Sequence, residues 1–300
     1  LRAFLFHCNT SFKIRLAQQL LRVVFFCNMN ILSEILRDTW LMEASYPNYY
    51  KPIVENILAG KIPEQEKPFA YSILSKKQTL STGEVIAKDK VAVISMVGPM
   101  TKYNAACSYG AEYFVKEIQK AENNEEIKGI ILFMDGPGGN ANAITLFQSI
   151  KNKITKPVIS VVDTACSLHY WIAAMLSDHI MLNNDFMAEV GSIGAMIVFE
   201  KPENEIKIIR PKESKDKNQA IVDALEGDFS ALEDKLSILA QRFQREVLES
   251  RPQIKKEATF GKTYLPKEAI EVGLADSIGT VQDAYELILA KSELIRINQN

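Results

Sequence analysis

Residues 158–176 read VISVVDTACSLHYWIAAML. Val158 to Val162 is a short β-branched run, the composition of a strand. Small residues then turn, and a helix runs from about Ser167 to Leu176. Working outward, Ile130 to Met134 is a continuous apolar run, which suits a strand buried on both faces, and it ends in Asp135-Gly136-Pro137-Gly138-Gly139. Ala143, Phe147 and Ile150 mark a helix between these two strands. Further upstream, Val91 to Val97 is a strand closed by Gly98-Pro99, and Ala111, Phe114, Ile118 and Ala121 step by three and four as a helix face does. Strand and helix alternating three times predict an α/β domain with a parallel sheet.

Downstream, shorter strands are expected near Ile180 to Leu182, Ala195 to Phe199 and Ile206 to Ile209. A long helix follows, with Leu232, Leu236, Leu239, Phe243 and Val247 on one face, then helices at Ala269 to Val272 and Val281 to Leu289. Ahead of the alternating region, Ile31, Ile35 and Trp40 with Leu41, and then Ile53, Ile57 and Leu58, recur at near-helical spacing. Residues 61–85 are polar, contain Pro63, Pro68 and Gly83, and read as a linker.

Residues 1–28 fit this scheme poorly. Leu20 to Cys27 is apolar but short and is interrupted by Arg22, well below the roughly 18–20 residues of a membrane span. They read as an over-long start ahead of Met29. The alternatives are a signal or membrane anchor, or a helical extension.

Of the 300 residues, 24% are charged, and the net charge is −2. That balance, without a basic stripe carrying interleaved aromatics, excludes a nucleic-acid partner. Cys8, Cys27, Cys107 and Cys166 form no C-x-x-C pair and lie at no zinc-ligand spacing, so neither a metal nor a disulfide framework is expected. A reducing, cytoplasmic setting follows; membrane association through residues 1–28 is the alternative.

Two strand ends carry candidate chemistry. A Gly-Gly pair after a buried strand lets backbone N–H groups approach a ligand, although a plain turn explains it too. Ser167 opens a helix, where free N–H groups favour developing negative charge, although a side-chain N-cap explains it too. Adjacent parallel strands would bring both turns to one sheet edge. There Ser167 would be a nucleophile, and the N–H groups of Gly138 or Gly139 and of Leu168 an oxyanion hole. No histidine serves as base: His7 lies in the leader, His169 shares the helix two residues on, and His179 begins the next strand.

These elements resemble the SppA peptidases, a branch of the ClpP/crotonase superfamily. In that family a D-S-P-G-G turn, an A-S-G-G-Y-x-I-A segment and a G-S-I-G turn occur in order. Here they read DGPGG (135–139), CSLHYWIA (166–173) and GSIG (191–194), followed by Gly261-Lys262-Thr263-Tyr264, Ala269 and Gly273-Leu274-Ala275-Asp276. The resemblance covers residues 90 to 285. It implies a ClpP/crotonase-like α/β spiral over 86–290, after an N-terminal segment at 29–85 and before a tail at 291–300. It also implies a serine peptidase without a cofactor, acting on peptides or unfolded proteins as a homo-oligomer. The general base is a lysine by resemblance, Lys215 before Asp216, with Lys212 the fallback.

Two departures stand out. Leu168-His169 replaces a Gly-Gly pair, and Arg210-Pro211 opens the lysine segment. They point to the phage and prophage relatives, whose partners would be capsid or scaffold proteins. The alternatives are a non-catalytic head-assembly protein, an acyl-CoA enzyme of the crotonase type and an anchored signal peptide peptidase.

Overall fold

The computed structural model describes residues 40–42, 70–104, 108–197 and 208–298. In chain order these form β1 (Trp40–Met42), β2 (Tyr71–Thr79), β3 (Val85–Val97), α1 (Ala111–Asn123), β4 (Ile127–Gly136), β5 (Gly138–Asn140), α2 (Ile144–Gln148), β6 (Val158–Cys166) and α3 (Leu168–Leu176). Then come β7 (His179–Leu182), β8 (Glu189–Gly191), α4 (Gln219–Glu226), α5 (Ser230–Ser250), β9 (Thr263–Tyr264), α6 (Pro266–Glu271), β10 (Ser277–Ile278) and α7 (Val281–Asn298).

The main sheet runs β10-β7-β6-β4-β3-β2. Every neighbouring pair is parallel except the edge hairpin of β2 with β3. The three apolar runs therefore lie side by side as β3, β4 and β6, buried on both faces as expected. Alternation along β4 sends Ile130, Leu132 and Met134 to one face, with Phe114, Ile118, Phe147 and Ile172. Ile131 and Phe133 go to the other, against Ala284, Tyr285 and Ile288 of α7. This is the α/β architecture expected, a mostly parallel sheet flanked by helices.

Near its carboxyl end β6 changes neighbour. Ile159 to Val162 pair with β7, but Thr164 to Cys166 pair with β8, which carries the start of the GSIG turn and in turn pairs antiparallel with β9. A small second layer thus forms over the end of β6. Helix α3, buried at every position, is held beneath it. Trp171 stacks on Phe243 of α5 with centroids 4.4 Å apart and donates Nε1–H to Glu246, and the Tyr170 hydroxyl donates to the Leu274 carbonyl. Asp276 closes the far end. It accepts from the Ile180 N–H and pairs at 2.7 Å with Arg251, whose side chain is only 4% exposed.

Several elements differ from the sequence reading. Trp40 to Met42, placed by periodicity in a helix, is a strand, because pairing with β5 supplies extended hydrogen bonds that three residues of helix could not match. The rest of that helical region lies outside the described residues. The expected linker contains β2, a nine-residue strand with a polar, mostly exposed face. Edge strands need only one partner, so their composition can stay hydrophilic. Residues 195–197 and 208–209 form no strand, and the intervening part of those two expected strands lies outside the described residues. Helix α7 continues through position 290 to Asn298, across the expected start of a tail.

Candidate active site

Parallel pairing places Asp135 opposite Thr164 and Gly136 opposite Ala165, so the DGPGG turn and the Ser167 turn leave the same edge of the sheet from neighbouring strands. The Ser167 N–H donates to the Gly191 carbonyl at 2.8 Å, which docks the GSIG turn on the same spot. Val190 pairs with Tyr264, so the fourth motif joins the cluster. The DGPGG, CSLHYWIA and GSIG turns and the Thr263-Tyr264 part of the fourth motif converge at one edge.

Ser167 has φ 54° and ψ −118°, a left-handed backbone that a non-glycine residue adopts at a cost, and it makes no side-chain cap to α3. The N-cap explanation of this serine is therefore wrong. The residue sits at an elbow between β6 and α3, with the hydroxyl carbon turned out of the helical path and the α3 amino terminus directly following. Its backbone carbonyl still accepts the Trp171 N–H at 3.0 Å, so the helix starts without a break. The residue is nearly enclosed, 2% exposed.

The glycine turn is built by close backbone approach. The Met100 N–H donates to the Gly138 carbonyl, and the Asn140 N–H donates to the Met100 carbonyl, both at 2.8 Å. A Cβ at Gly139 would overlap Met100, so only glycine permits this ladder. The two glycines are not equivalent as oxyanion donors. The Gly138 N–H points inward, to Nδ1 of His169 at 3.2 Å. Strand alternation turns the Gly139 N–H to the opposite edge from Met100. Of the expected donors, Gly138 is engaged by His169, and the Gly139 N–H faces Leu41 of β1, with which Gly139 is in register.

The position of His169 is not legible in the sequence. Two residues on along the same helix, it cannot reach the Ser167 hydroxyl. The structure turns it the other way, fully buried, against the DGPGG turn. A Cβ at Gly136 would run into its imidazole, and its Nε2 has no hydrogen-bond partner among the described residues. Burial pushes the imidazole down from 6.5 to about 4. The neutral ring with its proton on Nε2 leaves Nδ1 free to accept from Gly138. The signal that could have revealed it is a histidine inside a helix otherwise apolar all round. Leu168 is likewise fully buried, so neither side chain of the pair that replaces Gly-Gly lies open to solvent.

Asp135, half-buried before the turn, has its carboxyl pushed up by burial against a hydrogen bond with Thr164. His179 is structural, bonding Ser277 across β7 and β10.

Lys215 follows a short 3-10 turn, Lys212–Ser214, is exposed, and no hydrogen bond among the described residues joins it to the serine. Arg210 defines this loop. Its guanidinium donates to the Lys217 carbonyl at 2.9 Å and to Gln219 at 2.8 Å, tying the two ends of the lysine segment together. Lys212 is exposed on the same turn. No cluster of metal-binding side chains occurs among the described residues.

Comparison with known proteins agrees with this assembly of motifs. The model of peptidase family S49 matches residues 150–294. The chain is 29% identical to Protease 4 of Haemophilus influenzae over 213 residues, covering 65% of this chain and 34% of that protein. It is 24% identical over 235 residues to the chloroplastic serine protease SPPA of Arabidopsis thaliana, covering 73% of this chain and 34% of the relative. The chain thus spans about a third of the length of these two relatives. Among solved structures, the 1510-N membrane-bound stomatin-specific protease is matched with 21% identity over 64% of this chain and 81% of that one, at a TM-score of 0.38. With the DGPGG, CSLHYWIA and GSIG turns gathered at one sheet edge and the S49 match extending from before Ser167 into α7, the chain is similar to the SppA peptidases of family S49.

Proposed function

We propose that this chain is a serine endopeptidase in which Ser167 is the nucleophile and Lys215 the general base. The observation that carries the reading is the backbone of Ser167. A strained serine at a strand-to-helix elbow, beside a glycine turn and without a capping bond, is costly to a fold that does not use it. The Ser167 hydroxyl attacks the scissile carbonyl carbon while its proton passes to the Lys215 amine. The N–H groups of Leu168 and Gly139 hold the oxyanion. Collapse expels the amine, which takes the proton back from lysine, and water then hydrolyses the acyl-serine ester. Lysine accepts a proton only when neutral, which calls for desolvation. Lys215 therefore has to be packed against Ser167, by closure of its loop or by assembly into a homo-oligomer.

Unstructured peptides are the proposed substrates. In the phage or prophage setting that Leu168-His169 suggests, these would be capsid or scaffold proteins, in a cytoplasmic enzyme. No helix among the described residues is long and apolar enough to cross a membrane. The exposed Lys215 favours a second reading, a non-catalytic assembly protein on the same fold.

A fluorophosphonate probe separates the two. Labelling mapped to Ser167, lost in Ser167→Ala, supports the peptidase. Lys215→Ala and Lys215→Arg should both lose casein hydrolysis, since arginine stays protonated, while Lys212→Ala keeps most of it. An active Lys215→Arg beside a dead Lys212→Ala moves the base to Lys212. No labelling of the intact protein moves the assembly reading ahead.

A further inference from the structure

Strand β1 is the feature that neither the fold nor the proposed chemistry requires. Trp40, Leu41 and Met42 pair antiparallel with Asn140, Gly139 and Gly138, and the two strands form a small sheet of their own. Gly138 and Asn140 give their carbonyl and N–H to Met100 on one side. The N–H and C=O of Gly139 therefore face the other side, where Leu41 is the directly opposed residue. An extended backbone thus lies on the one glycine amide left to act as an oxyanion donor, one strand away from the Ser167 elbow. An enzyme that cleaves peptides of varied sequence recognises them through backbone hydrogen bonds, and addition of a strand to a free sheet edge is the general way to do so. Only one strand can occupy that edge.

We infer that Trp40–Met42 is an intramolecular occupant of the outer edge of Gly138–Asn140, competing with an extended peptide for the same backbone groups. The use of this edge by substrate rests on the peptidase reading; its occupation by the chain's own segment does not depend on which lysine is the base. The recognition is by backbone, so it takes an unfolded polypeptide and excludes a folded surface. A segment held by few hydrogen bonds is displaceable, and the apparent affinity for an incoming peptide falls by the fraction of time the edge is free.

The test uses the full chain with Ser167→Ala throughout, so that binding is read without cleavage, and fluorescein-labelled β-casein as the unfolded probe. Leu41→Pro removes the N–H facing Gly139, and Leu41→Ala keeps it. Casein should bind the proline variant about tenfold more tightly than the parent, as expected if the edge is free about a tenth of the time, with the alanine variant close to the parent. In hydrogen exchange, the segment containing Gly139 should lose protection in the proline variant alone. A synthetic peptide of residues 36–46 should then displace casein from that variant. Equal binding by all three proteins, absence of binding by all, or failure of the peptide to compete would each overturn the proposal. Tighter casein binding by the proline variant, combined with no fluorophosphonate labelling when Ser167 is restored, would instead uphold the docking site and reject the serine chemistry.

Discussion

Replacing His169 by asparagine should change the way stability responds to acid. In the native protein the imidazole is fully buried, and its Nδ1 accepts the Gly138 N–H. A proton added there would meet a donor, and a charged ring would be buried with Nε2 unpartnered. Burial lowers the group from 6.5 to about 4. The sign follows from which state holds the proton. Above 6.5 the ring is neutral in both folded and unfolded chains. Between 6.5 and about 4 the unfolded chain binds a proton that the folded chain refuses, so stability is lost as pH falls. Below that range both states are protonated and the loss levels off. At about 1.4 kcal/mol per unit, the loss is about 3 kcal/mol. Asparagine offers a carbonyl oxygen near the position of Nδ1 and does not titrate. Urea denaturation of the wild type and His169→Asn at several pH values measures the difference directly. His179, also held below its ordinary value by burial, contributes equally to both proteins and cancels. The wild type should lose about 3 kcal/mol more than the variant between about pH 7 and pH 4. Parallel curves would refute the placement of a neutral His169 under the glycine turn. His169→Ala should be less stable at every pH, by about 1–3 kcal/mol for the unpaired Gly138 N–H beyond the cost of the cavity.

Two further outcomes follow from single contacts. Since Ser167 makes no cap and has φ 54°, Ser167→Ala should be nearly neutral, and Ser167→Gly should exceed it in stability by about 1 kcal/mol in thermal denaturation; a less stable glycine variant would argue against strain at the elbow. Arg251→Ala should cost about 3 kcal/mol in urea, because the Asp276 carboxylate keeps its Ile180 N–H but loses its buried cation; a change below about 1 kcal/mol would show that this pair does not hold β7 to the end of the GLAD segment.

Much of this protein is legible locally. The apolar runs of β3, β4 and β6 identify a sheet buried on both faces, because a strand with two covered faces can carry few polar residues. The DGPGG, CSLHYWIA and GSIG turns are contiguous, so their order and spacing place Ser167 at a strand end without any coordinates. What the tertiary structure decided lies in contacts between distant backbone groups. Strand β1 has no strand-like composition, since its conformation comes from Gly138–Asn140, almost a hundred residues away. The fate of the Gly138 N–H depends on a histidine that shares no motif spacing with it. The difference between Gly138 and Gly139 is a matter of which edge each amide faces, and glycine has no side chain to record it. Arg210, which departs from the family pattern, turns out to clasp the lysine loop through a main-chain carbonyl. Side-chain patterns report burial, and burial is what the sequence by itself determined; backbone pairing at the site leaves no such pattern, because every residue but proline carries the same donor and acceptor.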